Sequence, residues 1–396
     1  MQKRRASLAV IFGIVFIDLV GFGIVIPVLP LYAERFGASP LKVGLLLAVY
    51  SLMQAACAPI LGRWSDRFGR RPVLLVSIIG SSLGFLMMGM ARSLPLLFAG
   101  RVIDGITGGN ISTAQAYIAD ITPAHERSKG MGLIGAAFGM GFIFGPAIGG
   151  VMSHFSLAAP LLFAAALTAM NAVAVYLFLP ESLSKDRRAG TSERVSIPQA
   201  WREARGSPLA VVVGTYFFST VAFSLLTGTY PLFAAHRFGY GAPQVGYIFA
   251  GMGIVGAMVQ GGLMCRLVRA FGDKRLTIAG TFLLAMSLFL LPMSRTAVIL
   301  YVATAGIGLG HALSTAPLNG LASKAAGPAA QGRVLGAMQS ASSFARIIGP
   351  VLGGWMLNQD LLRMEAHYGR APYWTGGVLM LVACGLAVAL RVSEPG

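Results

Sequence analysis

Pro208–Ala235 is a run of 28 residues without a charged side chain, and beyond His236-Arg237 the run Phe238–Cys265 is uncharged for another 28. A helix needs about 20 mostly apolar residues to cross the hydrocarbon of a bilayer. The same rhythm recurs along all 396 residues and predicts twelve spans, near 7–30, 43–61, 73–91, 94–118, 131–152, 158–179, 208–234, 243–265, 276–293, 297–319, 334–357 and 372–390. A soluble protein with buried helices would need more polar sequence to cover its surface. Only 11% of this chain is charged, against roughly 25% in a soluble domain. The expected fold is an all-α polytopic membrane protein.

The net charge of +17 raises the possibility of a nucleic-acid partner, and its distribution argues against one. With "MQKRR" placed in the cytoplasm, the segments on that side carry 22 Lys and Arg and those on the other side carry 7. Arg101 and Arg346 lie inside spans. This is the positive-inside pattern, which places both termini in the cytoplasm. The three cysteines, Cys57, Cys265 and Cys384, fall in or at the ends of spans without histidine neighbours, so neither a metal site nor a disulfide is expected. The first apolar run contains Asp18 and continues to Pro30, too long and too interrupted for a cleavable signal.

The chain reads as two copies of one unit. "ERFGASPLKVG" (34–44) returns as "HRFGYGAPQVG" (236–246), and "FGPAIGG" (144–150) returns as "IGPVLGG" (348–354). Between them, "GRWSDRFGRR" from Gly62 has a degenerate counterpart in "GLMCRLVRAFGDKR" from Gly262. Two pseudo-symmetric six-helix bundles are therefore expected, 1–180 and 208–396, joined by a charged cytoplasmic linker, 181–207. Parallel repeats of this kind place a substrate cavity at their interface and work by rocking one half against the other.

Three motifs carry a resemblance. The first is G-x-x-x-D-R-x-G-R-R between spans two and three: Gly62, Asp66, Arg67, Gly69, Arg70 and Arg71. The second is R-x-x-x-G in span four, Arg101 and Gly105. The third is the span-five run Gly135, Gly139, Gly145, Pro146, Gly149 and Gly150. With "DLVGFGIVIPVLP" (18–30) they resemble the major facilitator superfamily, its twelve-span drug/proton antiporter branch, and most closely the tetracycline-efflux group. The resemblance implies that the first motif is a conformational latch, with Asp66 engaging the start of span eleven and Arg70 meeting the acid that ends span four, Asp120. It implies that the span-five run marks an antiporter. Its glycines let helices approach closely, and Pro146 bends the span. A dinucleotide fold read from "GMGFIFG" fails on spacing, no phosphate loop is present, and an enzyme is not expected.

Ionisable groups inside spans are costly and usually functional, and here they are few: Asp18, Arg101, Asp104, His311 and Arg346. Asp18 sits near mid-depth with no basic neighbour in sequence, placed to bind and release a proton; the plain alternative is a structural acid paired with Arg101 or another helix. Arg101 and Asp104 are three apart and share a helix face. They form either a self-neutralising pair or a second proton site. His311 aligns with Asn110 and is either a proton site or a packing residue. Arg346 either attracts an anionic group or answers a first-half acid, with a structural salt bridge as the plain alternative. Uncharged polar candidates for contacting substrate are Gln54, Asn110, Gln115, Asn319 and Gln339, with Tyr50, Phe138, Phe223 and Tyr230 as aromatic ones. The second half departs from the tetracycline pattern, with Thr220 at the position of Asp18 and no acid in its spans. Gly84 also stands where span three of those exporters has an acid. These departures argue against tetracycline itself as substrate.

The resulting expectation is a proton-coupled antiporter that exports small amphipathic compounds by alternating access. It would be a monomer in the inner membrane, with protons and a small molecule as its partners and no cofactor. The rival is a dedicated transporter of an endogenous solute, a sugar, metabolite or lipid precursor, without obligatory proton coupling.

Overall fold

The computed structural model describes residues 2–123, 127–183, 208–363 and 368–390, and the expected linker lies outside the described residues from 184 onward. All regular structure among the described residues is helical. The first half contains α1 (Gln2–Glu34), α2 (Pro40–Phe68), α3 (Arg70–Gly89), α4 (Leu94–Thr107), α5 (Asn110–Ile121), α6 (Arg127–Met152) and α7 (Ala159–Phe178). The second contains α8 (Pro208–Phe238), α9 (Ala242–Met258), α10 (Met264–Leu290), α11 (Ala297–Arg363) and α12 (Arg370–Ala389). By length and apolarity alone, nine helical segments of the described residues qualify as membrane spans.

Three local departures reconcile nine with the expected twelve. Span four is broken at Gly108-Gly109 into α4 and α5, each too short to qualify alone. Spans eight and nine run on as one apolar stretch, Ala242–Met293. Within it a π-helical turn, Val259–Leu263, joins α9 to α10, and Gly272 interrupts α10 with a positive φ of 78°. Spans ten and eleven both fall within α11, 67 residues long. At 1.5 Å per residue a straight helix of that length would be about 100 Å, three times the bilayer core. It cannot be straight. His311 stacks on Phe223, and the carbonyl of Ala345 accepts a bond from the neighbouring Ser224. A straight helix would hold residues 311 and 345 about 50 Å apart, so the chain doubles back between them and forms two spans.

The residues cluster into two compact units, one of Met1–Ser39, Leu46–Ser192 and Gly239–Ala250, the other of Pro40–Leu45, Glu193–Phe238 and Gly251–Gly396. Each therefore takes in a short segment from the opposite half of the sequence, and glycine contacts explain why. In the first unit a Cβ on Gly145 would lie 2.6 Å from the Cα of Gly23, Gly149 packs on Ile24, and a Cβ on Gly246 would lie 2.7 Å from the Cα of Gly150. In the second unit Gly349 packs on Val221 and Ser224, Gly353 on Leu225, and Gly354 on Pro40 and Gly44. These are the same contacts at the repeat offset. The span-five run thus divides. Gly145, Gly149 and Gly150 are sites of close helix approach, whereas a side chain at Gly135 or Gly139 would meet nothing within 4 Å. The close-packing expectation fails at those last two positions, because both glycines lie on the exposed face of α6 while Ile134 and Ala137 on its other face are buried in the core. Pro146 lies inside α6.

The interior of the first unit is apolar where α1, α3, α5, α6 and α7 converge. Ile11, Leu74, Ile78, Tyr117, Ala137 and Val175 are all buried there, and the Tyr117 hydroxyl donates to the Pro180 carbonyl at 2.9 Å. The outer faces are apolar as well: Met170 is 68% exposed and Val298 70%. In water such a surface would be a liability, and in lipid it is the expected one.

Candidate transport site

The break at Gly108-Gly109 organises the polar interior of the first unit. Ending α4 there leaves the Gly108 carbonyl without an intrahelical donor, and the Gln54 amide of α2 donates to it at 2.6 Å. The same nitrogen donates to the Tyr50 hydroxyl at 3.2 Å. The ring of Tyr50 carries the guanidinium of Arg101 at 4.3 Å from its centroid, and Phe22 of α1 packs against its side at 5.8 Å. Gly105 permits this arrangement, since a Cβ there would lie 2.7 Å from the Tyr50 carbonyl oxygen.

Arg101 and Asp104 form the buried ion pair that their spacing allows. Arg101 Nη1 donates to Asp104 Oδ2 at 2.9 Å, with the side chains 2% and 5% exposed. Ser81 of α3 lies beside the same carboxylate. At Gly84 a Cβ would fall 2.8 Å from the Asp104 Cβ. Asp18 of α1 is half-buried. Its carboxylate lies beside the side chain of Asn110, the first residue of α5, and within electrostatic reach of Asp104. Asp18 and Asn110 border a narrow cleft with Ile14, Val15, Leu74, Ile111 and Ala114. Arg101 is committed to Asp104. Asp18 has a neutral partner.

The first unit therefore brings Asp18, Gln54, Arg101, Asp104 and Asn110 into one polar region, together with Tyr50. Gln115 is exposed on α5. The remaining candidates belong to the second unit. His311 is half-buried and stacked on Phe223 with centroids 3.9 Å apart and planes 12° from parallel, and it also meets the Thr315 hydroxyl. Arg346 is half-buried, and Asn319 and Gln339 are exposed.

The loop after span two is a second polar centre, at the far end of the first unit. Gly69 has φ 110°, which a side chain would strain, and it turns the chain from α2 into α3. Arg70, buried, then donates from Nε to Asp120 at 3.1 Å, and from Nη1 to Asp66 at 2.6 Å and Ser65 at 2.9 Å. Ser182 also donates to Asp120, at 3.0 Å. The Arg70–Asp120 contact implied by the resemblance is present. For Asp66 the recorded partner is Arg70 itself; the first turn of span eleven falls where side chains 325–333 lie outside the described residues. Arg67 sits over Phe68, Arg71 over Tyr176, and Gly62 faces open space.

One participant was missed in the sequence. Glu181, read as the first residue of a linker, accepts the backbone N–H groups of Arg70 at 2.9 Å and Arg71 at 3.2 Å. A carboxylate there satisfies orphan donors and meets the positive end of the helix dipole. Its position directly after the last apolar residues of span six, in "LFLPES", was the available signal.

A twelve-span architecture with this loop and a buried Arg101 in span four points to one family. The profile of the Major Facilitator Superfamily matches residues 11–350 and 213–396. The chain belongs to that superfamily. It is a multi-pass membrane transporter and not an enzyme, with a small-molecule substrate and the lipid bilayer around it. It is 34% identical over 367 residues to the tetracycline resistance protein, class C, of Escherichia coli, covering 89% of each chain. It is 30% identical to multidrug resistance protein 2 of Bacillus subtilis (strain 168), over 99% of this chain and 96% of that one. Among solved structures, the human organic anion transporter MFSD10 (TETRAN) superposes with a TM-score of 0.72 at 25% identity, over 97% of this chain and 99% of the other. The nucleoside transporter NupG gives 0.77 at 14% identity over 100% of both, a likeness of fold alone.

Proposed function

We propose that this transporter is a proton-coupled antiporter that exports small amphipathic compounds by alternating access. In this reading it works as a monomer in the cytoplasmic membrane, with both termini in the cytoplasm. The names of its relatives support drug export. The observation that carries the coupling step is the unequal treatment of the two first-half acids. Asp104 is locked to Arg101, whereas Asp18 is half-buried with a neutral side-chain partner. An acid with a neutral side-chain neighbour, rather than one locked in an ion pair, is the one that can exchange a proton for a substrate cation.

Asp18 is thus the exchange site, Arg101 and Asp104 its fixed neighbours, and Gln54, Asn110 and Tyr50 the polar and aromatic groups beside it. Gln115, His311, Asn319, Gln339 and Arg346 are the further substrate-contacting candidates. Gly62, Asp66, Arg67, Gly69, Arg70, Arg71 and Asp120 form the conformational latch, with Gly145, Pro146, Gly149 and Gly150 the antiporter packing motif.

The test is uptake of ethidium into proteoliposomes under an imposed pH gradient, wild type against Asp18→Asn, with ethidium binding measured in parallel. Gradient-driven uptake lost in the variant while binding persists is the expected result. Equal gradient-driven uptake by both would remove Asp18 from the mechanism. No transport of ethidium or other cationic dyes by wild type would favour a dedicated solute carrier.

A further inference from the structure

The loop between spans eight and nine repeats the turn of the loop after span two with three charges reversed, while Arg71 and its counterpart Lys274 keep the same sign. At an offset of 203, Asp66 corresponds to Arg269, Gly69 to Gly272 and Arg70 to Asp273; at 204, Asp120 corresponds to Lys324. Both glycines hold positive φ, 110° and 78°, so each loop makes the same turn into the following helix. In the first unit the residue after the glycine is a buried cation bonded to an acid at the end of span four, Arg70 to Asp120 at 3.1 Å. In the second unit it is a buried acid bonded to a cation at the end of span ten, Asp273 to Lys324 at 2.6 Å.

The backbone around the second pair is shaped to it. Gly320, one turn before Lys324, leaves room for the Asp273 carboxylate, whose oxygens would lie 3.3 and 3.5 Å from a Cβ there. Asp273 is 8% exposed and Lys324 62%, so the acid is the desolvated member and depends on the lysine for its counter-charge. Three reversals at corresponding positions, with the ion pair kept, mean that what is retained is the bond between these two places in the fold and not the sign of either partner. A pair needed only for topology would not keep an acid at 273 in a segment flanked by Arg266, Arg269, Lys274 and Arg275.

We propose that Asp273 and Lys324 are positioning residues for transport, the second unit's own latch, equivalent to Arg70–Asp120 with inverted polarity. This rests on the reading of the first loop as a conformational switch.

The experiment compares turnover per folded molecule, KM and melting midpoint for ethidium transport in Asp273→Asn, Lys324→Met, Lys324→Arg and the charge exchange Asp273→Lys/Lys324→Asp, with Asp120→Asn as the first-unit control. Each neutralisation should lower turnover about fivefold, the effect of roughly 1 kcal/mol on the rate-limiting step. KM should stay near wild type in all of them, and the midpoint in Asp273→Asn, whereas Lys324→Met, which strands the buried acid, should also lower the midpoint. Lys324→Arg should keep wild-type turnover, and the exchange should recover it to within about twofold. The rate at which a maleimide labels the exposed Cys265, with Cys57 and Cys384 replaced by serine, should shift with the same variants and needs no substrate. Wild-type turnover and labelling in both neutralised variants would overturn the proposal. So would losses that only track the amount of folded protein. If Asp120→Asn is also silent, the switch reading of the first loop falls; if Asp120→Asn slows transport while the Asp273 and Lys324 variants do not, only the second latch falls.

Discussion

Replacing Arg101 by Met leaves the Asp104 carboxylate, 5% exposed, without its counter-charge in the interior of the first unit. Breaking a buried pair in this way costs about 3–5 kcal/mol, and loss of the Tyr50 ring contact at 4.3 Å adds about 1–2 kcal/mol. Asp104→Asn strands the guanidinium instead, with Tyr50 still beneath it, and belongs at the lower end of that range. The double variant buries no charge and should cost less than either single change, because a neutral interior is often no less stable than a paired one. For a unit of this size 1 kcal/mol moves a midpoint by about 2–4 °C. Each single variant should therefore lose about 10 °C in the temperature at which half the detergent-purified protein loses monodispersity, and the double variant less than about 5 °C. A double variant whose loss equals the sum of the singles would refute the coupling. A wild-type midpoint for Asp104→Asn would refute it more pointedly: the neutral side chain mimics a protonated Asp104, so tolerance would make Asp104 the exchanging acid.

Two further perturbations follow from local geometry. Gly145→Ala would put a methyl 2.6 Å from the Gly23 Cα, whereas at Gly139 it would meet nothing within 4 Å. The first should lower the midpoint by several degrees, and the second should leave it unchanged or raise it slightly, since alanine is favoured over glycine in a helix by about 0.5–1 kcal/mol. Glu181→Gln removes the charge that meets the first turn of α3 while keeping an acceptor, and Glu181→Ala removes both. Losses of about 1 and 2 kcal/mol respectively are expected in a denaturation series, and equal effects would mean that the carboxylate acts only as a spacer.

The span pattern was legible because a bilayer acts on every residue alike: a charge anywhere in 208–235 would have been costly, and its absence is visible without knowing a single contact. The Arg101–Asp104 pair was legible for a different reason, since three residues on a helix fix a geometry. What the sequence could not show were pairings across helices. Gln54 meets the Gly108 carbonyl 54 positions away, and Glu181 meets Arg70 across 111. Neither has a local signature, and Glu181 was absorbed into a charged linker because its neighbours are charged. The two spans within α11 were read correctly from apolarity, whereas the break in span four was not, although its two glycines stood in view.

Gly84 shows how a departure from the family pattern can mislead. Read along span three, it is a missing acid. In three dimensions a side chain there would collide with Asp104, whose Cβ lies 2.8 Å from where the Cβ of residue 84 would be. The carboxylate therefore enters the same neighbourhood from α4, attached to Arg101 and beside Ser81, and an acid at 84 would add a second negative charge to a site with one buried base. Glycine at 84 and aspartate at 104 are thus one choice and not two. That choice leaves Asp18 as the acid of this region with a neutral side-chain partner, which is why the exchange step is assigned there.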